Sequence, residues 1–381
     1  MSRTMSVRAA LVTAATAIVI GCSPGSASPR DASSTPTIGG SGAGTSGWTR
    51  VPNASAFAGA VISDVTKGGP GYVAVGTSAS NHAGVWTSTD GLTWTAAPDD
   101  PSFADAVLVV VSGGPHGLVA IGGKCGSGEC GNDGVWTSLD GVHWTAHPDG
   151  AVPDVYVIRR LVPTSAGYFA SGDAGFPTGS KSTSGSIPGL WSSLDGLTWQ
   201  RHANGPDFPD GQVNALVVGG PGFVGAGGVI GATSHRAAAW TSKDGLIWQP
   251  DADTAVFAGS FITALVAGGP GIVAVGISRE GAAAWTSPDG VSWSRAIVGG
   301  ESDGARLDAV TATGHGFVGV GSDTTGAAIW TSPDGVIWTR LPSDPSFAGA
   351  KMKIVFSAGA TLIALGSGDA GVVVWTGPNG Q

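Results

Sequence analysis

Short strand-like runs separated by turn residues recur along most of the chain. One clear example has runs over 261–267, 272–277, 283–287 and 291–295. Gly-Gly-Pro-Gly fills the first gap, and an Asp-Gly pair fills the last. Gly allows positive φ and Pro fixes its own φ, so the first gap predicts a tight turn. Because Asp-Gly between two such runs is a strong hairpin signal, each unit is predicted to hold four antiparallel strands.

The pattern Trp-(Thr/Ser)-Ser-x-Asp-Gly-x-x-Trp repeats through the chain. Its complete copies run over 86–94, 136–144, 191–199, 240–248, 285–293 and 330–338. A further copy begins at Trp375, close to the end of the sequence. The repeat spacing of about 45–55 residues, with short strands and turns inside each unit, is typical of β-propellers.

The tryptophans indicate how many blades the propeller has. Of the 14 Trp, twelve lie in the six complete copies; the other two are Trp375, which opens the last copy, and Trp48, which precedes the first. Trp48-Thr-Arg-Val-Pro resembles Trp338-Thr-Arg-Leu-Pro, the segment that ends a unit. We therefore predict an all-β, seven-bladed propeller of four-stranded antiparallel blades over 47–381, with the N-terminal strand closing the last blade. Such closure removes the open edge of the sheet.

The Ser-x-Asp-Gly-x-x-Trp turn resembles the Asp-box of bacterial sialidase-type propellers, although in that family Gly follows Asp one residue later. The resemblance extends over all seven blades and implies that the repeated Asp residues are structural, each accepting backbone N–H bonds across its turn. These residues are Asp90, Asp140, Asp195, Asp244, Asp289 and Asp334. Calcium is the alternative, but it needs six to eight oxygen ligands, and each Asp stands alone. No metal and no cofactor are predicted.

The first 46 residues are predicted to contain a targeting signal and a linker. Arg3 and Arg8 precede an apolar run over 9–20 that is too short to span a bilayer. The run ends in Val-Ile-Gly-Cys22, which resembles the lipobox of bacterial lipoproteins. This resemblance implies a signal peptide over 1–21, acylation of Cys22, and a lipid anchor on the outer face of the cytoplasmic membrane. An ordinary secreted protein is the alternative. Residues 22–46, rich in Ser, Pro and Gly, are predicted to form a flexible linker.

Composition excludes some classes of protein. Only 12% of residues are charged and 42% are apolar, the opposite of a disordered chain. The net charge of −9 argues against a nucleic-acid partner, because no basic surplus is present to neutralise phosphates. Cys125 and Cys130 lie close together in a Gly-rich segment of a chain expected to be exported, which favours a disulfide. Metal binding by this pair is the weaker alternative, since no second Cys or His pair accompanies it.

Candidate binding residues come from aligning the inner strands on the turns that follow them. One column of this alignment is almost entirely polar: Ser63, Val109, Arg159, Asn214, Thr263, Asp308 and Lys353. The next column holds Asp64 and Arg160 among mostly small residues. We take Asp64, Arg159, Arg160, Asn214, Asp308 and Lys353 as candidate ligand-binding residues near one end of the channel. The alternative is a solvated channel end where these charges simply pair with one another.

The function expected from the sequence is non-catalytic binding of a protein or a glycan by a monomer. The loops that vary most in length belong to blades two and three, and variable loops on a rigid scaffold usually carry binding. A divergent sialidase-like glycoside hydrolase using Tyr156, Arg159 and Arg160 is one alternative. The family resemblance implies that such an enzyme needs an arginine cluster, a Tyr nucleophile with a Glu base, and an Asp acid. The other alternative is an assembly or stability factor for a membrane complex.

Overall fold

A computed structural model describes most of the chain from Ser46 onward. The described ranges are 46–51, 55–126, 129–130, 134–147, 152–174, 187–202, 211–230, 235–250, 255–269, 271–300, 304–369 and 371–379. The predicted signal peptide, Cys22 and nearly all of the predicted linker lie outside these ranges.

The described residues form seven antiparallel sheets arranged as the blades of a propeller. The first strand along the chain is β1 (Thr49–Arg50). Blade one contains β2 (Val61–Gly68), β3 (Gly71–Thr77), β4 (Ala83–Ser88) and β5 (Thr95–Ala96). Blade two contains β6 (Ala106–Gly114), β7 (Gly117–Gly126), β8 (Glu129–Cys130), β9 (Gly134–Ser138) and β10 (Thr145–His147). Blade three contains β11 (Val155–Pro163), β12 (Tyr168–Ala174), β13 (Ile187–Ser193) and β14 (Gln200–Arg201).

The remaining four blades repeat the same order. Blade four contains β15 (Gly211–Gly219), β16 (Gly222–Ile230), β17 (His235–Ser242) and β18 (Gln249–Pro250). Blade five contains β19 (Ser260–Gly268), β20 (Gly271–Ser278), β21 (Gly281–Ser287) and β22 (Ser294–Arg295). Blade six contains β23 (Ile297–Val298), β24 (Arg306–Thr313), β25 (Gly316–Asp323), β26 (Gly326–Ser332) and β27 (Ile337–Arg340). Blade seven contains β28 (Ala350–Ala358), β29 (Thr361–Gly368) and β30 (Gly371–Pro378).

The N-terminal strand closes the ring as predicted. β1 pairs with β30 in antiparallel fashion, with Thr49 opposite Thr376 and Arg50 opposite Trp375. It is therefore the fourth and outermost strand of blade seven, whose other strands come from the C-terminal end of the chain. The prediction of seven four-stranded blades is confirmed. Two sheets carry one additional short strand: β8 extends blade two, and β23 runs parallel to β27 in blade six.

Buried tryptophans fill the space within and between the blades. The third strand of each blade carries one, and Trp285 is typical, being fully buried with its indole N–H 2.9 Å from the Val256 carbonyl. That carbonyl belongs to a short 3-10 turn over Ala255–Phe257, where Phe257 packs 5.8 Å from the Trp285 ring. Equivalent 3-10 turns lie at Ser55–Phe57, Pro101–Phe103 and Pro345–Phe347. Trp86, Trp136 and Trp375 donate to carbonyls of these turns in the same way, so four blades are attached to the connections that enter them.

The Asp-Gly turns are held by their own side chains. In blade five the Asp289 carboxylate accepts N–H bonds from Val291 and Ser292 at 2.8 and 2.7 Å. These bonds lower the pKa of Asp289. The Ser287 hydroxyl accepts the Gly290 N–H at 2.7 Å. The same carboxylate contacts recur at Asp90, Asp140, Asp195, Asp244 and Asp334.

The two ends of the propeller differ in the connections they carry. Turns between first and second strands lie beside the Asp-Gly turns of the next blade, since a Cβ on Gly69 would approach the Asp140 carbonyl to 2.7 Å. A Cβ on Gly220 would meet the Asp289 carbonyl at the same distance. We call this end, with both sets of turns, the turn face. The opposite end carries the second-to-third and fourth-to-first connections, and we call it the loop face.

Candidate functional site

The polar column found in the sequence is a column of β-bulges. In every inner strand, the pairing with the second strand skips one residue near the loop face. In blade five, for example, Ile262 pairs with Gly276 and Ala264 with Val275, which leaves Thr263 without a partner residue. The skipped residues are Ser63, Val109, Arg159, Asn214, Thr263, Asp308 and Lys353. A bulge bends its strand and redirects a side chain, so the seven blades place these side chains at equivalent positions around the inner ring.

A glycine in the second strand makes each bulge possible. A Cβ added at Gly276 would lie only 2.0 Å from the Phe261 carbonyl oxygen, which rules out any larger residue without movement of the backbone. The same close approach, between 1.8 and 2.0 Å, occurs in all the blades, at Gly76, Gly122, Gly172, Gly227, Gly276, Gly321 and Gly366. This repeated glycine is the sequence signal of the bulge.

In blades four to seven, the bulged side chains connect neighbouring blades. The Asn214 amide donates to the Ile262 carbonyl of blade five at 3.0 Å. The Thr263 hydroxyl lies 2.7 Å from the Leu307 carbonyl of blade six. Asp308 of blade six forms an ion pair with Lys353 of blade seven at 3.1 Å.

Asp308 is also paired within its own blade. Its Oδ1 lies 2.6 Å from the Arg306 guanidinium, so the fully buried carboxylate is contacted by two cations. The side chains of Arg306 and Lys353 remain partly exposed, at 38% and 20%. Arg306 was not among the residues chosen from the sequence. In the alignment of inner strands, its column is charged only at Arg306 and Lys351 and is mostly apolar elsewhere.

In blades one and three, the residues that follow the bulged positions, Asp64 and Arg160, are also charged and buried. The Asp64 carboxylate accepts the Val65 N–H at 2.8 Å and the Val111 N–H of blade two at 3.0 Å. Burial raises the pKa of Asp64 to about 7, against the opposing effects of Arg160 and these two N–H bonds. Arg160 is itself buried, and burial lowers its pKa while Asp64 raises it. The structure thus brings Asp64 and Arg160 within electrostatic range across blades one and three.

Arg159 forms a two-point ion pair within blade three. Its guanidinium donates to the Asp173 carboxylate at 2.6 and 3.2 Å, and the two side chains are only 11% and 3% exposed. Sequence reasoning missed Asp173. The available signal was a carboxylate in a second strand, Tyr168–Ala174, that is otherwise made of small and aromatic residues.

Tyr156 lies at the loop-face end of blade three and is 61% exposed. It falls at a second irregularity of β11, between Val155 and Val157. Of the three Glu residues, Glu280 is in blade five, 3.7 Å from Arg295. The side chains of Glu129 and Glu301 lie outside the described part. Within the described part, the chain therefore shows no Tyr-Glu pair of the kind the family resemblance requires.

Two other sequence predictions fall largely outside the described ranges. The long loop of blade three lies mostly outside the described ranges, which include only its two ends. Cys125 and Cys130 are directly paired across β7 and β8, but nothing can be said of their side chains. Directly opposite residues in an antiparallel pair have Cα atoms about 4.5–5.5 Å apart, which is within the usual range for a disulfide. The disulfide stays a prediction.

The loop face carries two open recesses between blades. One of about 370 Å³ lies between blades one and two, lined by His82, Trp86, Asp99 and Phe103 among others. The other, of about 460 Å³, lies between blades six and seven beside Thr325, Lys351 and Asp369. In the described ranges, no three His, Cys, Asp or Glu side chains are grouped to bind a metal ion. Nor does any helix there have the length and apolar character needed to cross a membrane.

Comparison with solved structures found sialidases from Trypanosoma rangeli. The complex with the inhibitor DANA aligns with a TM-score of 0.47 and 12% identity, covering 70% of this chain and 53% of the sialidase. The complex with sialic acid aligns with a TM-score of 0.46 and 13% identity, covering 77% and 56%. This chain therefore spans about half the length of these sialidases. No protein-family model and no curated protein matches the sequence.

Proposed function

We propose that this chain is a lipid-anchored, extracytoplasmic propeller that binds a protein or a glycan on its loop face and catalyses no reaction. The observation that carries the proposal is the pairing of charges at the inner ring. Arg159 is held by Asp173, and Asp308 by Arg306 and Lys353. Side chains held in this way stabilise the ring, and using them for chemistry on a substrate requires breaking contacts between buried groups.

The connections of the loop face supply the surface that differs from blade to blade. The chain runs through only two residues between β20 and β21, but through twelve undescribed residues, 175–186, between β12 and β13. The recess between blades one and two adds a concave surface in which aromatic, His and Asp side chains lie together. Shape and polarity of this kind suit recognition, because loops on a rigid scaffold can vary without disturbing the fold.

The anchoring part of the proposal rests on Cys22 and the apolar run before it. Acyl chains on Cys22 give stable attachment, since each buried CH₂ contributes about 0.8 kcal/mol. Mass analysis of the N-terminal peptide from the membrane fraction should find Cys22 acylated and residues 1–21 removed. A chain recovered unacylated from the medium would contradict the anchor while leaving the binding proposal open.

The enzymatic alternative is tested with the purified full chain on a panel of sialosides and on a glycan array. We expect no hydrolysis, together with either selective glycan binding or co-purification of a protein partner from the membrane fraction. Hydrolysis that Tyr156→Phe abolishes would overturn the non-enzyme proposal. Tyr72→Phe is the matched control, because Tyr72 is buried in blade one and its hydroxyl contacts the Ser357 carbonyl at 3.3 Å.

A further inference from the structure

Exposed apolar side chains are concentrated at one end of the propeller. Of the eleven large apolar side chains exposed in the described part, nine lie on or beside the turn face: Leu139, Leu194, Val218, Leu246, Ile247, Val291, Ile297, Val336 and Ile337. Only Val61 and Tyr156 lie at the other end, where inner strands begin. Contiguous exposed apolar surface usually marks an interaction site.

The architecture of the Asp-Gly turns explains this concentration. The Asp and Ser side chains accept the backbone N–H groups of each turn. The other side chains of the turn are not needed for these bonds and point toward solvent. The residue after Asp-Gly is Leu or Val in every complete copy: Leu92, Val142, Leu197, Leu246, Val291 and Val336. Leu139, Leu194 and Ile247 are 85%, 73% and 72% exposed. The exposed apolar side chains therefore follow the rim of the turn face from blade two, at Leu139, to blade six, at Ile337, while Leu92, Val142 and Leu197 are partly buried.

The predicted linker joins the propeller at the turn face. Ser46, the first described residue, lines a recess of about 390 Å³ with Thr313, His315 and Pro333. Thr313 and His315 belong to the turn between the first and second strands of blade six, and Pro333 to its Asp-Gly turn. β1 runs antiparallel to β30, and Gly47 lies beside Pro378 at the turn-face end of β30, since a Cβ added at Gly47 would lie 3.7 Å from that proline ring. The chain before Ser46 therefore reaches the propeller at the rim of the turn face.

We propose that the turn face rests on the lipid bilayer that carries acylated Cys22, so that the loop face is directed away from the membrane. This inference rests on the proposed lipid anchor. The linker predicted from the sequence is about 24 residues long, and a flexible chain of that length has a root-mean-square span of roughly 25–30 Å. Such a span holds the turn face close to the bilayer surface and gives weak apolar contacts a high effective concentration.

Charge on the turn face determines which lipids suit it. Among the described residues, the exposed basic groups on this face include Lys67, Lys243 and His143, which pairs with Asp140. The turn carboxylates outnumber them: Asp90, Asp140, Asp195, Asp244, Asp289 and Asp334. The contact must therefore come from apolar side chains entering the interface rather than from attraction to anionic headgroups. Binding should be stronger on phosphatidylcholine vesicles than on vesicles containing phosphatidylglycerol, and added salt should reduce that difference.

The orientation is tested with the acylated full chain reconstituted in phosphatidylcholine vesicles that contain a brominated lipid. A fluorophore is attached at Leu139→Cys on the turn face or at Ser367→Cys on the loop face, with the unmutated chain as the labelling control. We expect lipid quenching of the turn-face probe to be at least about threefold stronger than that of the loop-face probe. Equal quenching, or the reverse order, would overturn the proposal, including the case in which a protein covers this face instead.

Failure of the anchor is distinguishable from failure of the orientation. Mass analysis of the same sample reports whether Cys22 is acylated. If it is not, the anchor proposal fails, and flotation of that chain with phosphatidylcholine vesicles tests the turn face alone; absence of flotation would then refute this inference too.

Apolar contact is tested by combining Leu139→Gln, Leu194→Gln and Ile247→Gln, with the probe placed at Thr89→Cys on the turn face. Because all three side chains are exposed, we expect an unchanged melting temperature but a loss of most of the probe's quenching. Val61→Gln on the loop face is the matched control and should leave quenching unchanged. Undiminished quenching in the triple variant would contradict a contact made by these side chains.

Discussion

Blades four to seven and blades one to three share one bulged inner strand, yet their bulged side chains have different contacts. In blades four to seven, Asn214, Thr263 and Asp308 each reach the next blade. In blades one to three, Val109 is apolar and Arg159 pairs inside its own blade. The backbone dictates where these side chains lie, but not what they do.

We call blades four to seven and blades one to three the two arcs of the ring. The difference between them indicates that the first arc serves mainly stability and the second mainly binding. The arc of blades four to seven uses its bulges to hold neighbouring blades in register. In the other arc, buried charge collects at Asp64 and Arg160, and blades two and three carry the connections that vary most. We therefore expect substitutions in the first arc to affect mainly stability, and those on the loop face of the second arc to affect binding.

The largest expected effect comes from the glycines that both arcs require. Gly276→Ala in blade five and Gly172→Ala in blade three each place a Cβ far inside van der Waals contact, 2.0 and 1.9 Å from a carbonyl oxygen. Overpacking of this severity should cost about 3 kcal/mol or more of unfolding free energy in either arc. Urea denaturation measures the loss. Gly314→Ala is the control, since its Cβ meets nothing within 4 Å, and a similar loss there would remove the steric argument.

Asp308→Ala sharpens the comparison by breaking the charged contact between blades six and seven. Removing one partner of a buried ion pair costs about 3–5 kcal/mol, but Arg306 and Lys353 are partly exposed and regain water. We expect a loss of about 2–3 kcal/mol in thermal or urea unfolding. Asp369→Ala on the exposed loop face should change stability by less than about 0.5 kcal/mol. Equal effects for the two variants would show that the Asp308 contacts contribute nothing.

Asp64 should give the stability of the fold a pH dependence that originates in blade one. Because burial raises its pKa to about 7, the folded state binds more protons than the unfolded state between about pH 4 and 7. Stability should therefore fall as pH rises through this range, by at most about 1.4 kcal/mol per pH unit. The depressed pKa of Asp195, about 2, acts in the opposite sense and only below pH 4.

Urea denaturation from pH 5 to 7 measures this slope. Asp64→Asn removes the titrating group, so its stability should vary less with pH, whatever its absolute level. The unmutated chain, measured in parallel at each pH, is the reference. An unchanged slope in Asp64→Asn would mean that Arg160 and the two N–H bonds keep Asp64 ionised throughout.

The sequence alone predicted the seven-bladed ring, because the motifs that define a blade are short and occur in every repeat. Paired Trp residues, Asp-Gly turns and the match between Trp48 and Trp338 predicted the blades and their closure. The column containing Thr263 and Asp308 was found by alignment, but its bulged backbone was not, because a bulge is a property of the pairing between two strands. The repeated glycine opposite it was the only local sign.

The contacts of the candidate residues could not be predicted from the sequence either, because they join residues of different strands or blades. Asp173 is separated from Arg159 by a turn, and Lys353 from Asp308 by a whole blade. Their pairing depends on strand register and on the rotation between blades, which no single segment encodes. The variable loops of blades two and three were recognisable from length alone, although their chemistry depends on residues outside the described ranges.

Thr263 provides the finest test of the difference between the arcs. Thr263→Val keeps the side-chain volume and removes the hydroxyl that lies 2.7 Å from the Leu307 carbonyl and 3.0 Å from the Val275 carbonyl. Blade two already has Val109 at this position, so the bulge itself accepts an apolar β-branched residue. The cost is then that of the hydrogen bond, about 1 kcal/mol. It should appear as a lower urea midpoint with an unchanged slope m.

The reverse substitution, Val109→Thr, tests the equivalent bulged position in blade two. Val109 is only partly buried and packs beside the core between blades two and three, so an added hydroxyl can remain hydrated. We expect a change within about 0.5 kcal/mol, and the exposed Thr339→Val in blade six should be equally small. If Val109→Thr were as costly as Thr263→Val, the bulged positions would be equivalent packing sites in both arcs. The hydrogen bonds that bulged side chains make to the next blade would then not be what distinguishes blades four to seven.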